Sequence, residues 1–157
     1  MHNKSISMNI VKQVAALPVR TSQGGAVEVL LVTSRDTGRW VLPKGWPSKR
    51  LKDKDAAARE AKQEAGATGK IASKPIGTYR YRKVEGATWR LVEVSVYLLK
   101  VKNERKRWRE QEQRQRQWFP AAVAARRVRE PKLRLLLKSL TGEPASPLRT
   151  TRLPAPK

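Results

Sequence analysis

Glu60 and Glu64 stand four residues apart in the segment DAAAREAKQEA (55–65), and Gln63 lies three after Glu60. On a helix, positions spaced in this way project from one face. Arg59 is next to Glu60 in sequence but points about 100° away. Two carboxylates on one ridge form an oxygen donor set that suits a hard cation such as Mg²⁺, Mn²⁺ or Ca²⁺. Ala57, Ala58, Ala61 and Ala65 give the helix a small-residue face able to pack closely on a sheet. Acidic pairs of this spacing also occur on solvated surface helices, so the helix alone does not choose between the two. Other chemistries lack residues. The chain has no cysteine, and its one histidine is His2. This excludes disulfides, thiolate or histidine-ligated zinc, and Ser-His-Asp or Cys-His catalysis.

A single domain is the expectation for 157 residues. The balance of 35 Lys+Arg against 13 Asp+Glu gives +22, an excess that repels itself unless something anionic meets it. Nucleic acid, a phosphorylated small molecule and an acidic membrane surface all qualify. No apolar run is long enough to span a membrane and the N-terminus lacks a secretory pattern, so the chain reads as cytoplasmic, with no membrane partner.

Residues 1–10 read as a loose arm, 11–140 as the folded domain, and 141–157 as a disordered basic tail rich in proline. Val11–Arg20 and Val27–Thr33 read as a hairpin around a Ser22–Gly25 turn. Trp40–Leu42 is a short apolar piece stopped by Pro43, followed by a basic loop (44–54). Asp53 and Asp55 are suited to cap a helix over 55–65, which Gly66, with Gly69 behind it, stops. Two strands are expected at 76–84 and 89–101, a short one at 118–119, and helices at 121–129 and 133–140 split by Pro131. Strands mixed with helices on two sides imply an α/β/α sandwich with a mixed sheet.

The segment GWPSKRLKDKDAAAREAKQEAGA (45–67) resembles the Nudix box, whose pattern is G, five residues, E, seven residues, then R-E-U-x-E-E-x-G-U with U aliphatic. Gly45, Arg59, Glu60, Ala61, Glu64, Gly66 and Ala67 match without a gap. Arg39–Lys44 (RWVLPK) also looks like the segment entering the box. Leu51 and Gln63 depart from it, each replacing a glutamate. Glutamine offers one neutral oxygen and is a weaker ligand for Mg²⁺.

The resemblance implies a Nudix-like sandwich that hydrolyses a pyrophosphate linkage with Mg²⁺ or Mn²⁺. It assigns Glu60 and Glu64 as ligands, with Gln63 beside them. Arg59 would fix the glutamates, and Gly45 would allow a tight turn. A further carboxylate is expected from the loop before the last core strand. Glu110 and Glu112 are the candidates and Glu112 is favoured; Glu60 or Glu112 would be the base. The region around Pro43–Pro47 looks like diphosphoinositol-polyphosphate and diadenosine-polyphosphate hydrolases. Arg20, Arg35, Arg39, Lys44, Arg80, Arg82 and Lys83 would then clamp the phosphates. A second reading keeps the fold with weak catalysis. The run 100–116, with eight cations against three carboxylates around Trp108, would bind RNA.

Overall fold

The computed structural model describes residues 9–142. All but two residues of the expected arm, and all but two of the expected tail, lie outside that range. The elements are β1 (Val11–Thr21), β2 (Val27–Thr33), β3 (Trp40–Val41), β4 (Lys44–Gly45), α1 (Asp53–Ala65), β5 (Ala67–Ile71), β6 (Gly77–Glu85), β7 (Thr88–Glu104), β8 (Arg116–Pro120), α2 (Ala121–Arg127) and α3 (Pro131–Ser139).

β1 is the centre of the sheet. Residues 13–19 are buried without interruption, the pattern of a strand covered on both faces. Alternate side chains go to opposite layers. Ala15, Leu17 and Val19 join Leu133, Leu137, Ala124 and Ala125 under α2 and α3. Val14 and Ala16 meet Ala56, Ala57 and Ala61 of α1 on the other face. The α/β/α sandwich follows directly from this alternation, and the alanines let α1 lie close to the sheet. Leu51 packs on the same cluster, which is how an apolar residue serves at that position of the box.

The sheet has eight strands, with the order β3-β2-β1-β7-β5 along its main path. β1 and β2 form the expected antiparallel hairpin, whereas β1 and β7 run parallel from Val11↔Val92 to Val19↔Lys100. The sheet is therefore mixed. β4 pairs with β1 through Val14↔Gly45 and Ala15↔Lys44, which brings the start of the box against the central strand.

Local details differ from the sequence reading. α1 begins at Asp53, and its N-cap Lys52 makes no side-chain cap bond; Asp53 and Asp55 sit inside the first turn, where they complement the positive helix end. Gly66 ends the helix in the left-handed region at φ +66°. Gly69 plays no part in that stop. It lies in β5, beside an irregularity in the β5–β7 register, where a side chain would collide with the Lys100 backbone. Among the described residues no helix is long and apolar enough to cross a membrane.

Candidate active site

With its alanine face against the sheet, α1 turns Glu60 and Glu64 into a cleft of about 280 Å³ lined also by Lys44, Gly45, Lys83 and Arg114. Glu64 is only 5% exposed. Its Oε1 accepts the Lys44 backbone N–H at 3.3 Å. Gly45 serves here by what it lacks. A Cβ built on it would sit 2.5 Å from the Glu60 carboxyl carbon. Gly45 is not among the glycines with positive φ, so the demand for glycine here is not that of a turn; a side chain would take the space of the Glu60 carboxylate, which would have to move.

Burial pushes the Glu64 carboxyl up to about 8; Glu60 and Glu110 add to the rise, while Arg114 and Lys44 oppose it. Burial likewise raises Glu60, against a hydrogen bond from Glu64 and the nearby Arg59 charge. Lys44 is lowered by burial, with Glu64 and Glu130 working the other way. Its ammonium lies 5.1 Å from the Tyr81 ring centroid. The Tyr81 hydroxyl, pushed up to about 12 by burial, donates to Gln13 Oε1 at 2.7 Å.

The loop between β7 and β8 completes the wall. It is fastened to the carbonyls at the end of α1. Glu110 N–H donates to Gln63 O at 3.0 Å, Trp108 Nε1 to Glu64 O at 3.1 Å, Arg116 Nη1 to Ala65 O at 2.8 Å, and Arg105 N–H to Gly66 O at 2.8 Å. Thus anchored, the loop delivers Glu110 and Arg114 together. Arg114 Nε meets Glu110 Oε1 at 2.7 Å and its Nη2 meets Glu64 Oε2 at 3.4 Å.

Several expected residues lie elsewhere. Glu112 is exposed and lines an adjoining groove with Gln111 and Gln113, which shares Ser34, Arg35 and Arg114 with the cleft; the further carboxylates in the cleft itself are Asp36 and Glu110. Arg59 and Gln63 face another cleft on the other side of α1, and Arg59 makes no ion pair with either glutamate among the described residues. Arg20 is engaged by Glu28 at 2.7 Å and Glu104 at 3.4 Å and covers Trp118, away from the cleft. Arg80 pairs with Glu93 at 3.3 Å, and Lys12 joins the same carboxylate at 2.9 Å. Arg39 and Arg82 line a neighbouring cleft with Glu130, which Arg39 approaches at 3.8 Å. Arg35, Lys44 and Lys83 are the expected cations that do reach the carboxylates' cleft. Trp108, read as a base-stacking residue, is fixed by its bond to Glu64 and covered by Arg116 at 3.8 Å.

Sequence reasoning placed Arg114 in the RNA-binding run rather than in this cleft, and gave no role here to Gln13, Asp36, Tyr81 or Trp46. The spacing of Glu110 and Arg114 at i,i+4 was the one available signal for Arg114.

Among the described residues no group of three or more His, Cys, Asp or Glu side chains converges as a metal site. The donor set is Glu60 with Glu64, since Arg114 holds Glu110. Two carboxylates completed by water and phosphate oxygens suit Mg²⁺. Burial of the pair disfavours the ionisation of both carboxyls, and a cation between them would relieve that cost.

A family model described as the NUDIX domain matches residues 11–139. No curated protein matches the chain by sequence. Among solved structures, a C. elegans Ap4A hydrolase binary complex is 20% identical with a TM-score of 0.62, covering 85% of this chain and 96% of that one. The E. coli dihydroneopterin triphosphate pyrophosphohydrolase is 18% identical at 0.60, covering 85% and 98%. The NUDIX domain of Shewanella oneidensis NrtR, complexed with ADP ribose, is 14% identical at 0.54, covering 87% and 90%. These likenesses establish the shared fold.

Proposed function

The chain belongs to the Nudix family, and we propose that it is a pyrophosphohydrolase that cleaves a pyrophosphate linkage in a polyphosphorylated small molecule, with a diadenosine polyphosphate or a diphosphoinositol polyphosphate as its first substrates. Nudix hydrolases generally use a divalent cation, typically Mg²⁺. The observation that carries the substrate reading is one cleft holding the Glu60–Glu64 pair together with Lys44, Lys83, Arg35 and Arg114. Carboxylates there suit a cation, and the surrounding cations suit a chain of phosphates.

Glu60 and Glu64 would hold Mg²⁺ or Mn²⁺, which when bound neutralises the diphosphate and activates water. Gly45 leaves the room in which Glu60 reaches the cleft. Glu60, which lines the cleft, would take the proton of the attacking water. Lys44 and Lys83 receive phosphate oxygens from one wall and Arg35 from another. Glu110 keeps Arg114 beside Glu64.

The test is incubation with diadenosine tetraphosphate, a diphosphoinositol polyphosphate and a nucleoside triphosphate, in ¹⁸O water with Mg²⁺ and then with a chelator. The expected result is chelator-sensitive cleavage, with label in one phosphate product and faster turnover of the longer polyanions. Absence of cleavage of all three in Mg²⁺ and in Mn²⁺ contradicts the substrate reading.

A further inference from the structure

On the other side of α1, Arg59, Lys62 and Gln63 occupy i, i+3 and i+4 positions. They face Arg105, Trp108 and Arg109 of the loop across a cleft of about 380 Å³. This cleft and the one holding Glu60 and Glu64 share no lining residue. Four of its six lining residues are cations and none is a carboxylate. Among the described residues, none of the four forms an ion pair. The neutral Gln63 stands where the Nudix pattern has a glutamate, so the one acidic side chain that would face these cations is missing. Trp108 is half-buried at the cleft and held in place by its bond to Glu64 O. Exposed Lys106 and Arg107 carry the positive charge onward along the loop.

We propose that this cleft is a second, non-hydrolytic site that binds the sugar-phosphate backbone of a single-stranded nucleic acid. Uncompensated like charges held close together are costly, and a polyanion removes that cost while releasing counterions. A single phosphate would use one or two of these cations. Arg59 and Lys62 on the helix with Arg105, Arg109, Lys106 and Arg107 on the loop offer more cations than one phosphate can use, and a strand of successive phosphates would engage them. The apolar surface that Trp108 leaves at the cleft accommodates the sugars between them. Backbone contacts of this kind carry no base selectivity.

The experiment is fluorescence anisotropy of a labelled oligouridylate at several salt concentrations, with the full-length protein. Melting curves accompany each variant; the substituted arginines are exposed and their loss leaves the core intact. Arg105→Ala with Arg109→Ala should weaken binding about tenfold or more and lower the slope of log affinity against log salt by about 1.4, two contacts' worth for a single strand. Gln63→Glu, which sets a carboxylate among these cations, should weaken binding several-fold. Lys12→Ala with Arg126→Ala, which removes the same charge elsewhere, should change binding little. Equal losses in the two double variants would overturn the site. So would displacement of the oligomer by uridine monophosphate at equal phosphate concentration, since that would mark a small-molecule site.

Discussion

Gly45 and Glu60 fix each other's geometry, because the space a Cβ would fill is the space the carboxylate uses. Gly45→Ala should therefore leave the melting temperature within a few degrees and cut kcat/KM by about tenfold or more, as displacement of a catalytic group does. Steady-state kinetics with thermal melts will separate the two effects. Glu64 gives a second expectation at this scale. In the metal-free protein its carboxyl keeps a proton up to about 8, whereas the unfolded chain releases it near 4.5. The unfolded state therefore binds fewer protons between these values. Its contribution to stability is full below about 4.5 and is lost as pH rises to about 8, by at most about 1.4 kcal/mol per pH unit. Chelator-treated protein should show this decline in denaturant titrations, Glu64→Gln should lack it, and saturating Mg²⁺ should flatten it. An unchanged pH profile in Glu64→Gln would reject the assignment.

At the scale of elements, catalysis depends on how the β7–β8 loop is fastened to the end of α1. Trp108→Phe removes the indole N–H that reaches Glu64 O, together with the five-membered ring and part of the surface under Arg116. It should cost about 1 kcal/mol of stability and speed amide exchange across residues 105–115. Exchange unchanged in that loop would mean the bond does not hold it. This is also where the sequence was least legible. α1 was readable from its Ala, Glu, Lys and Gln content and its Gly66 stop, and β1 from its unbroken apolar run. β5 was not, because Ala67–Ile71 (ATGKI) contains a glycine and a lysine and owes its pairing to β7. Glu110 rather than Glu112 reaches the cleft because Glu110 N–H bonds a carbonyl on α1, a contact that no local spacing announces. Arg20 and Arg80 carry the right charge, but their strands aim them at Glu28, Glu104 and Glu93. Position near the box in sequence did not amount to position in the cleft.

For the whole molecule, +22 of formal charge surrounds a cleft whose cations are a small subset of the total. Raising ionic strength should thus raise KM more for a four-phosphate substrate than for a nucleoside triphosphate. Arg35→Ala, in the cleft wall, should reproduce that selectivity at fixed salt, whereas Arg20→Ala, committed to Glu28 and Glu104, should not. Initial rates over a salt series distinguish these outcomes.

The most direct measurement of whether the Glu60–Glu64 cleft is the hydrolytic centre is kcat/KM for diadenosine tetraphosphate with Mg²⁺, compared among wild type, Glu64→Gln and Glu112→Gln. Glu64 lines the cleft and Glu112 does not. Loss of about a hundredfold or more in Glu64→Gln, with Glu112→Gln within about threefold of wild type, is the predicted result. Comparable losses in both folded variants, or a Glu64→Gln enzyme as active as wild type, would contradict it.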